Sequence, residues 1–289
     1  CCNNVVFPAP RKPQSNVTDG LLCDDEDTFL TNEIRFAVAS PKPTTQVSRM
    51  LRFCLALLLS AATAQAENKV RIAAAANLAH VIEALTAEFQ KANPDTKAEI
   101  SLGASGSLVA QITHGAPFDV FLSADMDYPR ALIANDQADA ASLTPFAIGR
   151  LVLWTTNSQI ELIDLESALT DSRVRRIAIA HPDTAPYGSA ALETLEKLNV
   201  TSKLRPKIVI GENVSQAAQF VASGNADLGF VALSFVLTPQ LKDRGQWVEV
   251  PTTCHTPITQ GAVITKKGTT NPKALLFLTF LQSPEARKI

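Results

Sequence analysis

Four short turns of the chain combine small side chains with hydrogen-bond donors and contain no Lys, Arg or Asp. Each follows a strand-like run and precedes a helical one, so its backbone N–H groups lie at a helix N-terminus, where the partial charge is positive. Helix N-termini bind anions through such free N–H groups. Together the turns predict a site that holds an anion without any formally charged side chain. They are Ala76-Asn77-Leu78, Ala104-Ser105-Gly106-Ser107, Ala185-Pro186-Tyr187-Gly188 and Asn213-Val214-Ser215.

The second of these turns also allows a different chemistry, that of a serine nucleophile. Its segment GASGS (103–107) follows the G-x-S-x-G pattern of hydrolases around Ser105, but Ser107 stands where that pattern has its last glycine. The motif is therefore incomplete, and no downstream histidine has an evident partner. We predict that the protein is not an enzyme, with a secreted serine hydrolase using Ser105 or Ser107 as the alternative from another class.

The elements that must position the turns alternate regularly along the chain. VRIAAAAN (70–77) is strand-like, and from Leu78 the apolar residues recur at helical spacing, with Asn77 predicted as the N-cap. AEISLGAS (98–105) and FDVFLSAD (118–125) each lead into a further helical segment. Three strand-helix units in succession predict an α/β lobe with a mostly parallel sheet.

A second set of strand-helix units predicts a second lobe. The segments near 144–156, which include the long strand-like run at 146–156, and near 250–266 are expected to carry the chain between the lobes. We predict that residues 67–145 and 251–289 form the first lobe and residues 146–250 the second. Two lobes joined by two crossings imply a cleft. The later strand-like runs are 176–182, 207–213, 226–234 and 261–267, and NPKALLFLTFLQSPEARKI is predicted as a final helix.

The N-terminal part of the chain is predicted to lie outside the folded protein. Residues 50–66 combine a basic residue, a short apolar run and the small-x-small sequence Ala64-Gln65-Ala66, which is typical of a secretory signal peptide. Residues 1–49 precede Met50, show no sustained periodicity and are predicted to be an upstream or disordered extension. The mature protein is therefore expected to begin near Glu67 and to be exported to the periplasm.

Charge and cysteine content disfavour several classes of protein. The formal net charge is −2, and the basic residues cluster only at RVRR (173–176), whereas a nucleic-acid-binding protein normally presents a basic face. Of the five cysteines only Cys254 lies beyond the signal, so the mature part should contain no disulfide and no cysteine metal site. Beyond the signal no apolar run is long enough to cross a membrane.

Other reactive side chains lack partners at a useful spacing. Cys254 and His255 are adjacent on a strand-like segment and should point to opposite faces. Asp119 and Asp125 flank a strand-like run and are expected to cap it or to contact the adjacent lobe. No metal-ion site or cofactor is predicted, because the four histidines are scattered without metal-ligand spacing. They are His80, His114, His181 and His255.

Four longer segments follow one another in a recognisable order: AAAANLAHVIEALTAEFQ, GASGSLVAQITHGAPFDVFLSAD, HPDTAPYGSAALETL and ENVSQAAQFVASGNADLGFV. Together they resemble the molybdate-binding proteins of ABC uptake systems, which are periplasmic binding proteins. The resemblance covers nearly all of residues 70–289, and GAPFDVFLSAD combined with PYG is its most specific part. It implies an α/β fold of the two-lobed periplasmic-binding-protein type II, with two crossing strands and a ligand cleft between hinge-bending lobes.

The resemblance also implies the binding residues. The oxyanion would be held by Asn77, Ser105 and Tyr187, and by the backbone N–H of Val214. One position departs from part of the family, because Ala232 stands where members with serine in place of Asn77 carry a ligand-contacting tyrosine. Tyr187, where other members have alanine, is expected to supply a phenolic donor from the opposite side.

The implied function is high-affinity capture of molybdate, and also of tungstate, and its delivery to the membrane permease of an ABC transporter. The protein would act as a monomer, without a cofactor and without binding nucleic acid. Another tetrahedral oxyanion, sulfate or phosphate, is the alternative within the same class. A small organic acid is disfavoured, because such sites normally place an arginine against the carboxylate and the four turns contain none.

Overall fold

The computed structural model describes residues 68–289, which contain ten strands and ten α-helices. The strands are β1 (Lys69–Ala75), β2 (Lys97–Gly103), β3 (Val120–Ser123), β4 (Thr144–Gly149), β5 (Leu151–Thr155), β6 (Ile177–Ala180), β7 (Ile208–Gly211), β8 (Leu228–Ala232), β9 (Gln246–Glu249) and β10 (Ile258–Ile264). The helices are α1 (Ile82–Ala92), α2 (Ser105–Thr113), α3 (Asp127–Ala134), α4 (Leu165–Thr170), α5 (Pro186–Lys197), α6 (Thr201–Leu204), α7 (Val214–Ala222), α8 (Leu233–Val236), α9 (Pro272–Leu281) and α10 (Pro284–Arg287). Short 3-10 helices span Ala76–Leu78, Ala140–Ser142, Arg205–Lys207 and Gly268–Thr270. The predicted extension (1–49) and signal peptide (50–66) lie outside the described residues.

The strands form two sheets of the same design. The first has the order β2-β1-β3-β10-β4 and the second the order β7-β6-β8-β5-β9. In the first sheet β1 pairs in parallel with β2 and β3, and β10 is antiparallel to both of its neighbours. In the second sheet β6 pairs in parallel with β7 and β8, and β5 is antiparallel to both of its neighbours. Each sheet is therefore mostly parallel, and each single reversed strand follows a passage of the chain from the other sheet.

The two passages differ in length. The first occurs at Arg150, between β4 in the first sheet and β5 in the second. The apolar run at 146–156, expected as one continuous strand, is thus two strands in two sheets, and the predicted division after residue 145 falls inside β4. Both strands are apolar, so the sequence showed no break at this point. The second passage comprises residues 250–257, between β9 and β10.

The first sheet lies between two layers of helices. Ile72 on β1 packs in one cluster with Phe89 of α1 and Phe277 of α9, whose rings meet edge to face at 5.2 Å. The next residue, Ala73, packs in another cluster with Leu108 of α2 and Leu132 of α3. Successive side chains of a strand point to opposite faces, so both faces of β1 are buried. Every β1 residue from Ile72 to Ala75 is buried, which explains the run of one Ile and three Ala there.

Two predicted helices begin or end differently in the structure. The helix expected from Leu78, with Asn77 as its cap, begins at Ile82, and Asn77 instead lies inside the 3-10 helix Ala76–Leu78. The expected final helix is divided into α9 and α10 before Pro284, because a proline disfavours helical conformation in the residue that precedes it. The helices of residues 68–289 are all too short or too polar to cross a bilayer.

Candidate functional site

All four donor turns line one small cavity between the two sheets. The register of β1 with β2 pairs Ala75 with Gly103 at the strand ends, which places the first two turns side by side. The other two turns follow β6 and β7, which are likewise parallel neighbours. Ligands of open α/β sheets bind beyond the carboxyl ends of parallel strands. The lining residues are Ala75, Ala76, Asn77, Gly103, Ala104, Ser105, Ala124, Ala185, Pro186, Tyr187, Asn213 and Val214.

Asn77 is almost fully buried, and its side chain is held on one side only. Its Nδ2 donates to Oε1 of Gln260 at 3.0 Å, whereas its Oδ1 is buried and has no hydrogen-bond partner among the described residues. The 3-10 helix that contains it closes with a bond from the Ala79 N–H to the Ala76 carbonyl at 3.1 Å. The first N–H groups of any helical turn have no partner within that turn and remain available to a ligand.

Ser105 is the first residue of α2 and is also buried. Its Oγ accepts a hydrogen bond from the N–H of Ala124 at 3.0 Å, so the hydroxyl is oriented by the residue that follows β3 and not by its own helix. The hydroxyl proton is then free to donate. Ser105 is therefore not a helix cap, since Ala104 occupies that position and its side chain makes no capping bond.

Tyr187 lies in the first turn of α5, with its ring buried between the cavity and the first passage of the chain. A Cβ added at Gly149 would overlap the phenolic oxygen, so the glycine makes room for this side chain. Burial raises the pKa of the Tyr187 hydroxyl above its ordinary value. The group therefore stays protonated at neutral pH and can donate to an anion.

Val214 begins α7, and Asn213 before it is the N-cap. The Asn213 side chain accepts from the N–H of Gln216 at 3.1 Å, which occupies one donor of the first turn. The Val214 N–H comes earlier in that turn and has no acceptor within the helix. It therefore supplies a backbone donor beside the cavity.

Three hydrogen bonds join the two lobes close to the cavity. They connect residues that lie between 55 and 157 positions apart in the sequence, so no local pattern indicates them. They run from the Gly106 N–H to the Thr184 carbonyl at 2.9 Å, from the Tyr128 hydroxyl to the Asp183 carbonyl at 2.8 Å, and from the Ser234 hydroxyl to the Asn77 carbonyl at 3.1 Å.

The other side chains considered in the sequence lie elsewhere. Asp119 accepts from the Arg71 N–H at 2.7 Å, and Asp125 accepts from the Tyr128 N–H at 3.1 Å, so both carboxylates satisfy backbone donors. Burial raises the pKa of Asp125. Cys254 is a free thiol, and neither it nor His255 lines the cavity. Within residues 68–289 no group of three His, Cys, Asp or Glu side chains is placed to hold a metal ion.

Two residues around the cavity were missed in the sequence. Gln260 binds Asn77 from a distance of 183 residues along the chain, and Ala124 orients Ser105 through its backbone. Neither residue lies in a turn of the kind that suggested the site. Only the pairing of β3 and β10 with their neighbours places these two residues beside the donors.

Two mostly parallel sheets, two passages between them and a cavity at the strand ends define the two-lobed periplasmic-binding-protein fold of type II. The same architecture occurs in a periplasmic thiamin-binding protein that is 17% identical, with a TM-score of 0.61 over 76% of this chain and 80% of that one. The chain belongs to the family described as bacterial extracellular solute-binding protein, whose model matches residues 70–289.

Similar proteins within this group carry a more specific name. The molybdate-binding protein ModA of Rhodobacter capsulatus is 39% identical over 248 residues, which cover 85% of this chain and 96% of that protein. ModA of Azotobacter vinelandii is 38% identical, over 84% of this chain and 95% of its own length. The solved periplasmic molybdate-binding protein of Azotobacter vinelandii is 37% identical, with a TM-score of 0.71 over 75% of this chain and 94% of that one.

Proposed function

We propose that the protein captures molybdate, and also tungstate, outside the cytoplasm and delivers it to the permease of an ABC transporter. The observation that carries this proposal is the single cavity at which all four donor turns meet and whose twelve lining residues include no charged side chain. Such a site suits an anion bound by neutral donors and by helix N-termini. The names of the relatives support molybdate as that anion.

The proposed donors come from both lobes. Asn77 and the Ser105 hydroxyl belong to the first, and the Tyr187 hydroxyl and the Val214 N–H belong to the second. A hydrogen bond to a charged group contributes roughly 1.5–3 kcal/mol. Because neither lobe holds the whole set, the anion gains its full set of bonds only when the lobes close over it.

The hydrogen bonds between the lobes support this mechanism. Gly106 and Tyr128 donate across the cleft to the loop that contains Asp183 and Thr184. These bonds form only when the lobes are together, so the arrangement described is the closed one. An open form, with the cleft accessible to the ligand, would lack them.

Sulfate would be rejected chiefly by its size. It is a smaller tetrahedron than molybdate, so donors placed around the larger ion cannot all reach the smaller one. Phosphate differs in another way, because it carries at least one proton near neutral pH and so also requires an acceptor.

We propose no catalytic role for the site. The oxygen of Ser105 accepts the Ala124 N–H, and the residues that line the cavity include no histidine or carboxylate able to act as a general base. The same residues suffice for binding, so no cofactor is needed in the proposed function.

A thermal-shift panel with molybdate, tungstate, sulfate, phosphate and vanadate tests the ligand. A ligand that binds only the folded state stabilises it by about 4 kcal/mol at a thousandfold excess over its Kd. Molybdate and tungstate should therefore raise the unfolding temperature far more than sulfate or phosphate. An equal shift with sulfate would rule out the proposed ligand while leaving an anion site in place.

Export is the remaining part of the proposal. Residues 50–66 would direct the chain to the periplasm, and cleavage after Ala66 would make Glu67 the first residue of the mature, monomeric protein. N-terminal sequencing of the protein recovered from the periplasm should begin at Glu67. A first residue at or before Met50 would show that the segment is not cleaved.

A further inference from the structure

The amide of Asn77, a residue that lines the cavity, leaves its acceptor end without a partner, whereas a fully deprotonated anion needs a donor. Its Nδ2 is turned to Gln260, which does not line the cavity, and its Oδ1 is the end without a partner among the described residues. Asn77 is 3% exposed and Gln260 is 5% exposed, so water does not readily satisfy this oxygen. A buried acceptor without a donor destabilises the structure, because the oxygen has lost its hydrogen bonds to water and gained none in return.

A half-turn of both amides about their last side-chain bonds removes this conflict. An amide has an acceptor oxygen at one end and a donor nitrogen at the other. After rotation, Nε2 of Gln260 donates to Oδ1 of Asn77, the hydrogen bond between them is kept, and Nδ2 of Asn77 is free to donate to an anion. Gln260 also borders a groove on the other side of Asn77, where solvent can bind its remaining end.

We propose that Gln260 is a positioning residue that sets which end of the Asn77 amide faces the bound oxyanion. This inference rests on the proposed function of the cavity. With Nδ2 inward the site donates and suits deprotonated ions such as molybdate. With Oδ1 inward it accepts and suits protonated ions such as phosphate. The first arrangement requires a side chain at position 260 that can donate to Oδ1 of Asn77, and the second requires one that can accept from its Nδ2. Gln260 can do both, so it contributes to selection between the two classes of ion without touching either.

The substitution Gln260→Glu tests this role, because a carboxylate can only accept. The glutamate carboxylate should accept a hydrogen bond from Nδ2 of Asn77 and so leave Oδ1 of Asn77 facing the anion. Calorimetry on the full chain should then show molybdate binding weakened by at least about tenfold, the loss expected when one hydrogen bond to a charged group is removed. The new negative charge also repels any anion, so the decisive quantity is the ratio of the phosphate Kd to the molybdate Kd. This ratio should fall by at least about tenfold, because the exposed acceptor favours phosphate alone.

The same measurement in an Asn77→Ala background separates positioning from other effects. If Gln260 acts through Asn77, Gln260→Glu should change the ratio by less than about threefold once the amide is gone. Gln260→Met, which adds no charge, should lower the ratio less than the glutamate does, and that change should also vanish with Asn77→Ala. Gln282→Met is the matched control, because Gln282 donates to the Thr144 hydroxyl at 3.2 Å on an exposed part of the first lobe.

The outcomes distinguish this inference from the proposed function. A ratio that is unchanged in Gln260→Glu and Gln260→Met, or that falls equally with and without Asn77, overturns the positioning role while molybdate binding by the parent still supports the function. A parent that prefers phosphate overturns the function, yet the ratio should still fall in Gln260→Glu. A parent that binds neither ion overturns both.

Discussion

Adding one methyl group at Gly106 should impair closure of the lobes without changing any proposed ligand donor. A Cβ at this position would lie 2.7 Å from the Tyr128 hydroxyl oxygen and 3.1 Å from Cα of Thr184, which belongs to the other lobe. The first contact is too short for any real Cβ, and the second involves backbone that cannot rotate away. Gly106→Ala therefore separates the lobes at this point. Gly106 also lies within α2, where alanine is the better helix former, so the open form should be at least as stable as in the parent.

The size of the effect follows from the bonds that are lost. Separation breaks the Gly106–Thr184 bond at 2.9 Å and, as Tyr128 moves aside, the bond from its hydroxyl to Asp183 at 2.8 Å. Each is worth about 0.5–1.5 kcal/mol, so the closed form loses about 1–3 kcal/mol. Since binding requires closure, the apparent Kd for molybdate should rise by about five- to a hundred-and-fiftyfold.

Calorimetry with molybdate, combined with small-angle scattering at saturation, measures both consequences. Gly106→Ala should bind more weakly, contract less on binding and keep the unfolding temperature of the free parent. Ser107→Ala, at the neighbouring position, should behave like the parent, and Tyr128→Phe should show a smaller loss because it removes only one of the two bonds. The reasoning is refuted if Gly106→Ala binds molybdate with the affinity of the parent and contracts to the same extent.

The remaining predictions concern the donors themselves. Ser105→Ala and Asn77→Ala should each weaken molybdate binding by about ten- to a hundredfold, the loss of one bond to a charged group, whereas calorimetry on the distant Gln159→Ala should give the parent value. Burial raises the pKa of Tyr187, so its hydroxyl remains a donor from pH 6 to 9, and Tyr187→Phe should weaken binding by the same factor, about two- to tenfold, at both ends of that range. The pKa of Tyr187 is higher in the folded state than in the unfolded state. Its contribution to the free energy of unfolding is therefore complete below about pH 10 and is lost as the pH rises through the folded-state pKa. Tyr187→Phe should therefore lose less stability than the parent as the pH is raised above about 10. A curve of stability against pH identical to the parent's would contradict the argument that Tyr187 is buried.

The sequence by itself determined the class of the protein and the composition of the candidate site. Helical spacing and alternating strand-like runs are local properties, so the succession of strand-helix units was readable without any tertiary information. The chemistry of a small-residue turn is also local, and for this reason the four donor turns could be predicted together. The resemblance to the molybdate-binding family then implied Asn77, Ser105, Tyr187 and Val214 as the binding residues within them. The structure places all four around one cavity, and their contact with an anion stays a prediction.

Only the tertiary structure decided how these residues are held. The apolar run around Arg150 looked continuous because both strands that it forms are rich in apolar residues, although only β5 is fully buried. Their separation into two sheets depends on pairing partners far away in the chain. Asn77 was expected to be a helix cap, but its side chain binds Gln260, 183 residues away, and its backbone enters a 3-10 turn. The contact of Gly106 with Thr184 exists only because two separately folded sheets meet. Contacts of this kind are set by sheet register and by the packing of the lobes, which no short segment of sequence encodes.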